Sequence, residues 1–166
     1  AIRDATLAAA GKLDLTMGGP GFREFGFKDD HSPHYKYQEH DPDDPKSQRR
    51  SVYRFIVRSV PDPFMDTLDC ADASSIVPKR NETVTALQAL ALLNNKFMLR
   101  MAEHLAERAE KAGESLPARV DAAFRLALAR RASDEERSVL KEYAQTHGLA
   151  NACRVILNLN EFVFVD

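Results

Sequence analysis

The sequence has few of the features that identify a function directly. Only two of its 166 residues are cysteines, Cys70 and Cys153, too few for a disulfide framework or a cysteine-rich zinc site. No apolar run approaches the roughly 20 residues that a membrane-spanning helix needs. Neither sign of charge dominates: 23 Lys and Arg stand against 25 Asp and Glu, a formal net charge of −2. Phosphate binding calls for a basic footprint that this balance does not supply, so nucleic acid is not expected as a partner. The phosphate loop, the dinucleotide-binding GxGxxG and the nucleophile elbow GxSxG do not occur. Nor does CxxCH, so no c-type haem attaches through that motif. No cofactor is expected.

What is present describes a globular chain, 44% hydrophobic and 29% charged. Its length suffices for one domain with a real core. The opening "AIRDATLAAAGKLDL" reads as a helix over 2–13 rather than as a leader peptide, and a start without Met points to a piece of something longer. "MGGPG" (17–21) breaks that helix. Phe25/Phe27, Tyr35/Tyr37 and Tyr53/Phe55/Val57 then keep a period of two, which predicts a small antiparallel sheet. Val52, Phe55, Ile56 and Ser59 also fit a helical period, so "SVYRFIVRS" reads equally as a helix turn. Two irregular stretches surround these segments, one rich in Asp, His and Pro and the other covering 59–83.

From about 83 the pattern becomes helical. Thr83 or Thr85 can cap a helix running to about 112, closed by Gly113. Pro117 suits the first turn of the next helix, where Val120, Ala123, Phe124, Ala127 and Leu128 form a stripe. "SDEE" (133–136) is a capping box that opens a helix burying Val139, Leu140 and Tyr143 and ending at Gly148. A last helix carries Ala152, Cys153, Ile156 and Leu157. The tail "NEFVFVD" alternates Phe162 and Phe164 and reads as an extended segment. The fold class expected is mainly α. A single-domain helical bundle surrounds a central buried helix, with 83–166 as helical core and 1–82 irregular and able to hold a small sheet.

Four groups of residues can carry chemistry. His31, His34 and His40 lie among acids, and imidazole and carboxylate are zinc ligands. The loop nevertheless lacks a metal-binding spacing, and its Asp-Pro pairs read as turns, so no metal is expected there. Asp69 and Asp72 flank Cys70. Paired carboxylates can do acid–base work if their pKa values separate, but an Asx-turn or helix cap explains them as well. Lys79 and Arg80 precede a helix N-terminus, where an anion can bind, although a structural bridge from Arg80 to an acid is the plainer reading. Finally, "ALQALALLNNKF" (86–97) sets Gln88, Asn94 and Asn95 into a helix that is otherwise apolar on every side. A buried amide without a partner costs roughly 1–3 kcal/mol. The three amides are therefore expected to bond to the backbone of the irregular stretches 17–49 and 59–82, pinning them in place; the other reading is that they line a binding site. Cys153 falls on an apolar stripe, which favours two free thiols over a bridge to Cys70.

The ordered segments "RRSVYRFIVRSVPDPFMDTLDCADAS", "KRNETVTALQALALLNNKFM", "AFRLALARRASDEE" and "CRVILNLNEFVFVD" resemble a C-terminal conserved domain of unknown function. That domain is found in planctomycete multidomain proteins with cytochrome-c-like domains upstream. The family pattern T-P-L-Q-A-L departs here, because Ala86 stands where the proline would be. The resemblance implies an exported, periplasmic or cell-envelope setting and, as partners, the other domains of a parent protein. It brings no catalytic residue. Together these readings predict a non-catalytic structural or interaction module. The alternatives are part of a hydrolytic enzyme acting on envelope or extracellular polysaccharide, with Asp69, Asp72, Arg80 and a loop histidine in a cleft, or a metal- or redox-linked binding module.

Overall fold

The computed structural model describes residues 2–28, 34–71, 75, 76, 83 and 85–164. In chain order its elements are α1 (Ile2–Ala10), β1 (Gly26–Lys28), β2 (His34–Lys36), α2 (Pro63–Thr67), α3 (Ala86–Asn94), α4 (Lys96–Ala112), α5 (Leu116–Leu128), α6 (Asp134–His147), α7 (Leu149–Ile156) and α8 (Asn160–Val163). The protein is mainly helical, with a small two-stranded antiparallel sheet in its N-terminal third. It divides into two compact units, Ala1–Leu13 with Leu92–Asp166, and Asp14–Ala91.

The first unit is built around α4, which packs against α1, α5 and α7. Met98, Met101, Ala102, Leu105 and Ala109 recur at helical spacing and are buried, while Glu103, Glu110 and Lys111 face water. Burying each Leu or Met side chain contributes roughly 1.5–3 kcal/mol. Leu7 and Ala10 of α1 meet Met101, so the first helix belongs to this core. Its end is tied down by Arg108, whose guanidinium donates to the carbonyls of Ala8, at 2.9 Å, and Ala9. Gly113 closes α4 where a side chain has no room, since a Cβ there would lie 2.7 Å from the Ala118 carbonyl carbon. Ser115 caps α5, with Pro117 in the first turn. The Ser133–Glu136 capping box opens α6, with both reciprocal bonds made.

Arg130 then clamps the helix ends, gripping Glu136 at 2.8 Å through two nitrogens and Glu161 at 2.6–2.7 Å through two. Those Arg130 hydrogen bonds, followed by the Ser133 N–H, push the Glu136 carboxyl down to about 2.

Several expectations for this region need correction. The predicted helix to 112 is two helices, because Asn95 leaves the helical conformation and its side chain accepts the Phe97 N–H at 2.8 Å, capping α4. Asparagine competes with the helix for backbone groups and favours such caps. The central helix is therefore α4 alone, and α3 is not buried all round. Val139 is exposed. The tail is a single helical turn, α8, that buries Phe162 and leaves Phe164 exposed; its amides return to Leu159 and Asn160.

In the second unit β1 and β2 pair antiparallel with Phe27 opposite Tyr35. The expected third strand around Phe55 does not form. Residues Ser51–Tyr53 make a 3₁₀ turn, and Phe22 meets Arg54 in a lone parallel bridge. Pro20 has no N–H with which to extend that ladder. Gly21 approaches the Tyr53 carbonyl so closely that a Cβ would lie 2.8 Å from it. The helix-turn alternative for 51–59 is likewise reduced to that one 3₁₀ turn. Arg49 fixes the preceding loop: it donates to the carbonyls of Thr16, Gly18 and Pro20 and stacks 4.1 Å from the centre of the Tyr53 ring. Asp44 and Asp62, each before a proline, cap the turn at Pro45–Ser47 and helix α2.

Candidate functional site

Two neighbourhoods in the second unit gather polar side chains. One begins where α2 ends. Met65 and Asp66 accept from the amides of Cys70 and Asp69, turning the chain back, with Asp69 in the left-handed region at φ 56°. One carboxylate oxygen of Asp69 then receives three donors: the Thr83 N–H at 2.7 Å, the Thr83 hydroxyl at 2.8 Å and the Gln88 amide at 3.0 Å. The Thr83 N–H, then its hydroxyl, hold the Asp69 carboxyl below its ordinary value, with Gln88 adding to the effect.

Gln88, only 8% exposed, also donates to the Thr83 hydroxyl at 2.9 Å. Its carbonyl oxygen accepts the Thr85 N–H at 3.1 Å, while the Thr85 hydroxyl accepts the Gln88 N–H at 3.2 Å. Thr-x-x-Gln is therefore a reciprocal capping box at the start of α3. Ala86 opens the helix behind it.

The other neighbourhood is a cleft of about 350 Å³ lined by Arg54, Ile56, Asp62, Met65, Asp66 and Cys70, among others. Arg54 is almost wholly buried and pairs with Asp62 at 2.7 Å and with Glu24 at 3.5 Å. Asp62 also caps α2 by accepting the Phe64 N–H at 2.9 Å. Both carboxylates already hold the guanidinium, so Arg54 acts as a strut that shapes the cleft. Tyr37 lies close by and donates to the Val60 carbonyl at 2.7 Å; burial first, then the Asp62 charge, raises its hydroxyl's pKa.

The residues singled out in the sequence are distributed as follows. Asp69 and Gln88 are brought together, through a side-chain carboxylate rather than through loop backbone. Asn95 caps α4, and Asn94 is the exposed last residue of α3. His34 is exposed on β2, and His40 follows a 3₁₀ turn with its N–H on the Tyr37 carbonyl. Among the described residues, no group of three or more His, Cys, Asp or Glu side chains could hold a metal ion. His31, Asp72, Lys79 and Arg80 lie outside the described residues. Cys70 and Cys153 are free thiols, and burial pushes the Cys153 thiol up to about 12. The Glu24–Arg54–Asp62 strut was missed in the sequence. Its one visible signal was Asp62 before Pro63, which marks a cap but not ion pairs that span 8 and 30 positions.

A family model described as PSD1, protein of unknown function (DUF1553), matches residues 1–144. The chain belongs to the PSD1 family. The match covers the Asp69–Thr83–Gln88 knot, the Arg54 strut, every helix through α5 and most of α6. No curated protein and no solved structure matches the chain. PSD1 membership names no reaction, so a functional reading rests on the geometry.

Proposed function

We propose that this chain is a non-catalytic structural and interaction module that docks onto the other domains of a parent protein. One observation carries the reading. Helix α3 exposes Leu87 (64%) and Leu90 (57%) on one side, and residues 84–95 contain no charged side chain. A surface helix ordinarily covers its outer face with charge; an uncharged outer face with two leucines suits burial against another protein surface. The chain places its polar effort underneath, where Gln88 and Asp69 fix the start of the helix. Asp69 takes three donors at one oxygen, a geometry that orients chain and suits a strut better than a proton carrier.

The setting belongs to the same proposal. The resemblance of the ordered segments supports an exported, cell-envelope, planctomycete protein with cytochrome-c-like domains, and this module would hold no cofactor itself. The test is to express the chain and the remainder of its parent as two polypeptides. They should co-purify, and Leu87→Lys with Leu90→Lys should abolish the association while leaving the melting temperature unchanged. If the two polypeptides stay apart and the chain alone cleaves an envelope polysaccharide, the hydrolytic alternative stands instead.

A further inference from the structure

The second unit also brings an arginine together with a cluster of aromatic rings. Phe25 is buried, and the rings of Tyr35, Tyr37 and Phe55 meet it edge-on at centroid distances of 5.2, 5.5 and 6.1 Å. This cluster sets the positions of two further faces that stay open to water, Phe27 at 45% and Phe55 at 49% exposure. The guanidinium of Arg23 lies over both, 5.7 Å from the Phe27 centroid and 5.3 Å from that of Phe55. The chain around Arg23 is anchored as well: Phe22 donates to the Tyr53 carbonyl at 3.0 Å and accepts the Phe55 N–H at 2.8 Å.

Glu24, the next residue, is committed to Arg54. Among the described residues Arg23 has no carboxylate partner and makes no hydrogen bond; its guanidinium rests against the two rings. A planar guanidinium clasped by aromatic faces loses little freedom when it binds, and its N–H groups form a fork that matches a carboxylate.

We propose that Arg23, Phe27 and Phe55 form a docking site for a peptide segment carrying a carboxylate side chain next to an apolar one. The carboxylate takes the fork of Arg23, and the apolar neighbour covers the exposed ring faces. Arginine and aromatic residues are the types that dominate binding at protein interfaces. The two flanking surfaces are phenyl rings, which offer nothing to a ligand's hydroxyl groups. A sugar ring could stack only its C–H face there, whereas an apolar side chain matches the exposed phenyl surface on every side; the peptide is the occupant we commit to, and the acidic polysaccharide is an outcome of the test. The site goes beyond the α3 face and does not depend on it.

The test uses the whole chain and an array of labelled peptides that place Glu beside Phe or Leu, each with a Gln counterpart, alongside polygalacturonate as a non-peptide acid. Glu peptides should bind at least about tenfold more tightly than their Gln counterparts. Arg23→Gln should remove that preference. Arg23→Lys should also weaken binding about tenfold, because an ammonium keeps the charge but neither the fork nor the stacking. Melting curves check that these surface variants fold, and Phe27→Ser gives a second route if Phe55→Ser disturbs the cluster. The proposal is overturned if no acidic peptide binds at about millimolar concentration, if Arg23→Gln binds as wild type, if Arg23→Lys is equivalent to arginine, or if polygalacturonate binds where the peptides do not.

Discussion

Gln88→Leu is the sharpest test of the knot at the start of α3. The side chain makes three bonds of its own, to Asp69, to Thr83 and from the Thr85 N–H. Leucine is close in size and keeps the burial, so the change isolates the polar terms. Breaking the reciprocal cap costs about 1 kcal/mol, and the neutral bond to Thr83 adds about 0.5–1 kcal/mol. The bond to Asp69 is screened by solvent and is left out of the sum. A total of about 1.5–2 kcal/mol lowers the melting temperature of a chain this long by about 3–8 °C.

The loss should also be local. The amides of Asp69 and Cys70, which close the turn after α2, should exchange with solvent about tenfold faster, whereas amides inside α4 and α5 should not change. The pH dependence has a definite sign. Asp69 is depressed in the folded state by its Thr83 and Gln88 donors, so its contribution is complete above the unfolded carboxylate range of about 4 and is lost as pH falls through the folded value. The difference between wild type and variant should shrink in that acidic window. An unchanged melting temperature together with unchanged exchange at 69–70 would refute the reasoning.

Other outcomes follow from single contacts. Asn95→Ala removes the cap of α4 and should cost about 1 kcal/mol, read by urea denaturation. Glu136 is pushed down to about 2 by Arg130, so the stability it lends is present above its ordinary range and disappears as pH falls towards 2; Arg130→Met should flatten that part of the stability curve. Burial pushes the Cys153 thiol up to about 12, so iodoacetamide at neutral pH should label the native chain at Cys70 only and the denatured, unreduced chain at both cysteines. A denatured chain with no free thiol would show a disulfide instead.

Much of the helical half was legible because its signals are local. Ser133 and Glu136 stand three apart and form the capping box they spell, and Gly113, Pro117 and Gly148 mark the helix ends they occupy. The misreadings share one cause, that periodicity records what can be buried and not what is. Leu87, Leu90 and Val139 fit apolar stripes, yet all three are exposed. Asn95 looked like one amide in a long helix, and only its backbone turn reveals a cap. At the candidate sites the partners are far apart in sequence. Asp69 meets Thr83 and Gln88 across 14 and 19 positions, and Arg54 meets Glu24 across 30. Composition near each residue carries no trace of such pairings. Arg23 illustrates the same limit: "FREFGF" shows alternating aromatics, but Phe55 comes to its guanidinium from another segment.

The claim that α3 is a docking face is tested most directly by hydrogen exchange over residues 86–94, measured in the isolated chain and again in the intact parent protein. The α3 amides should exchange at least about tenfold more slowly in the parent, while α6, the control, keeps its rates. Equal rates over 86–94 in the two samples would contradict the account.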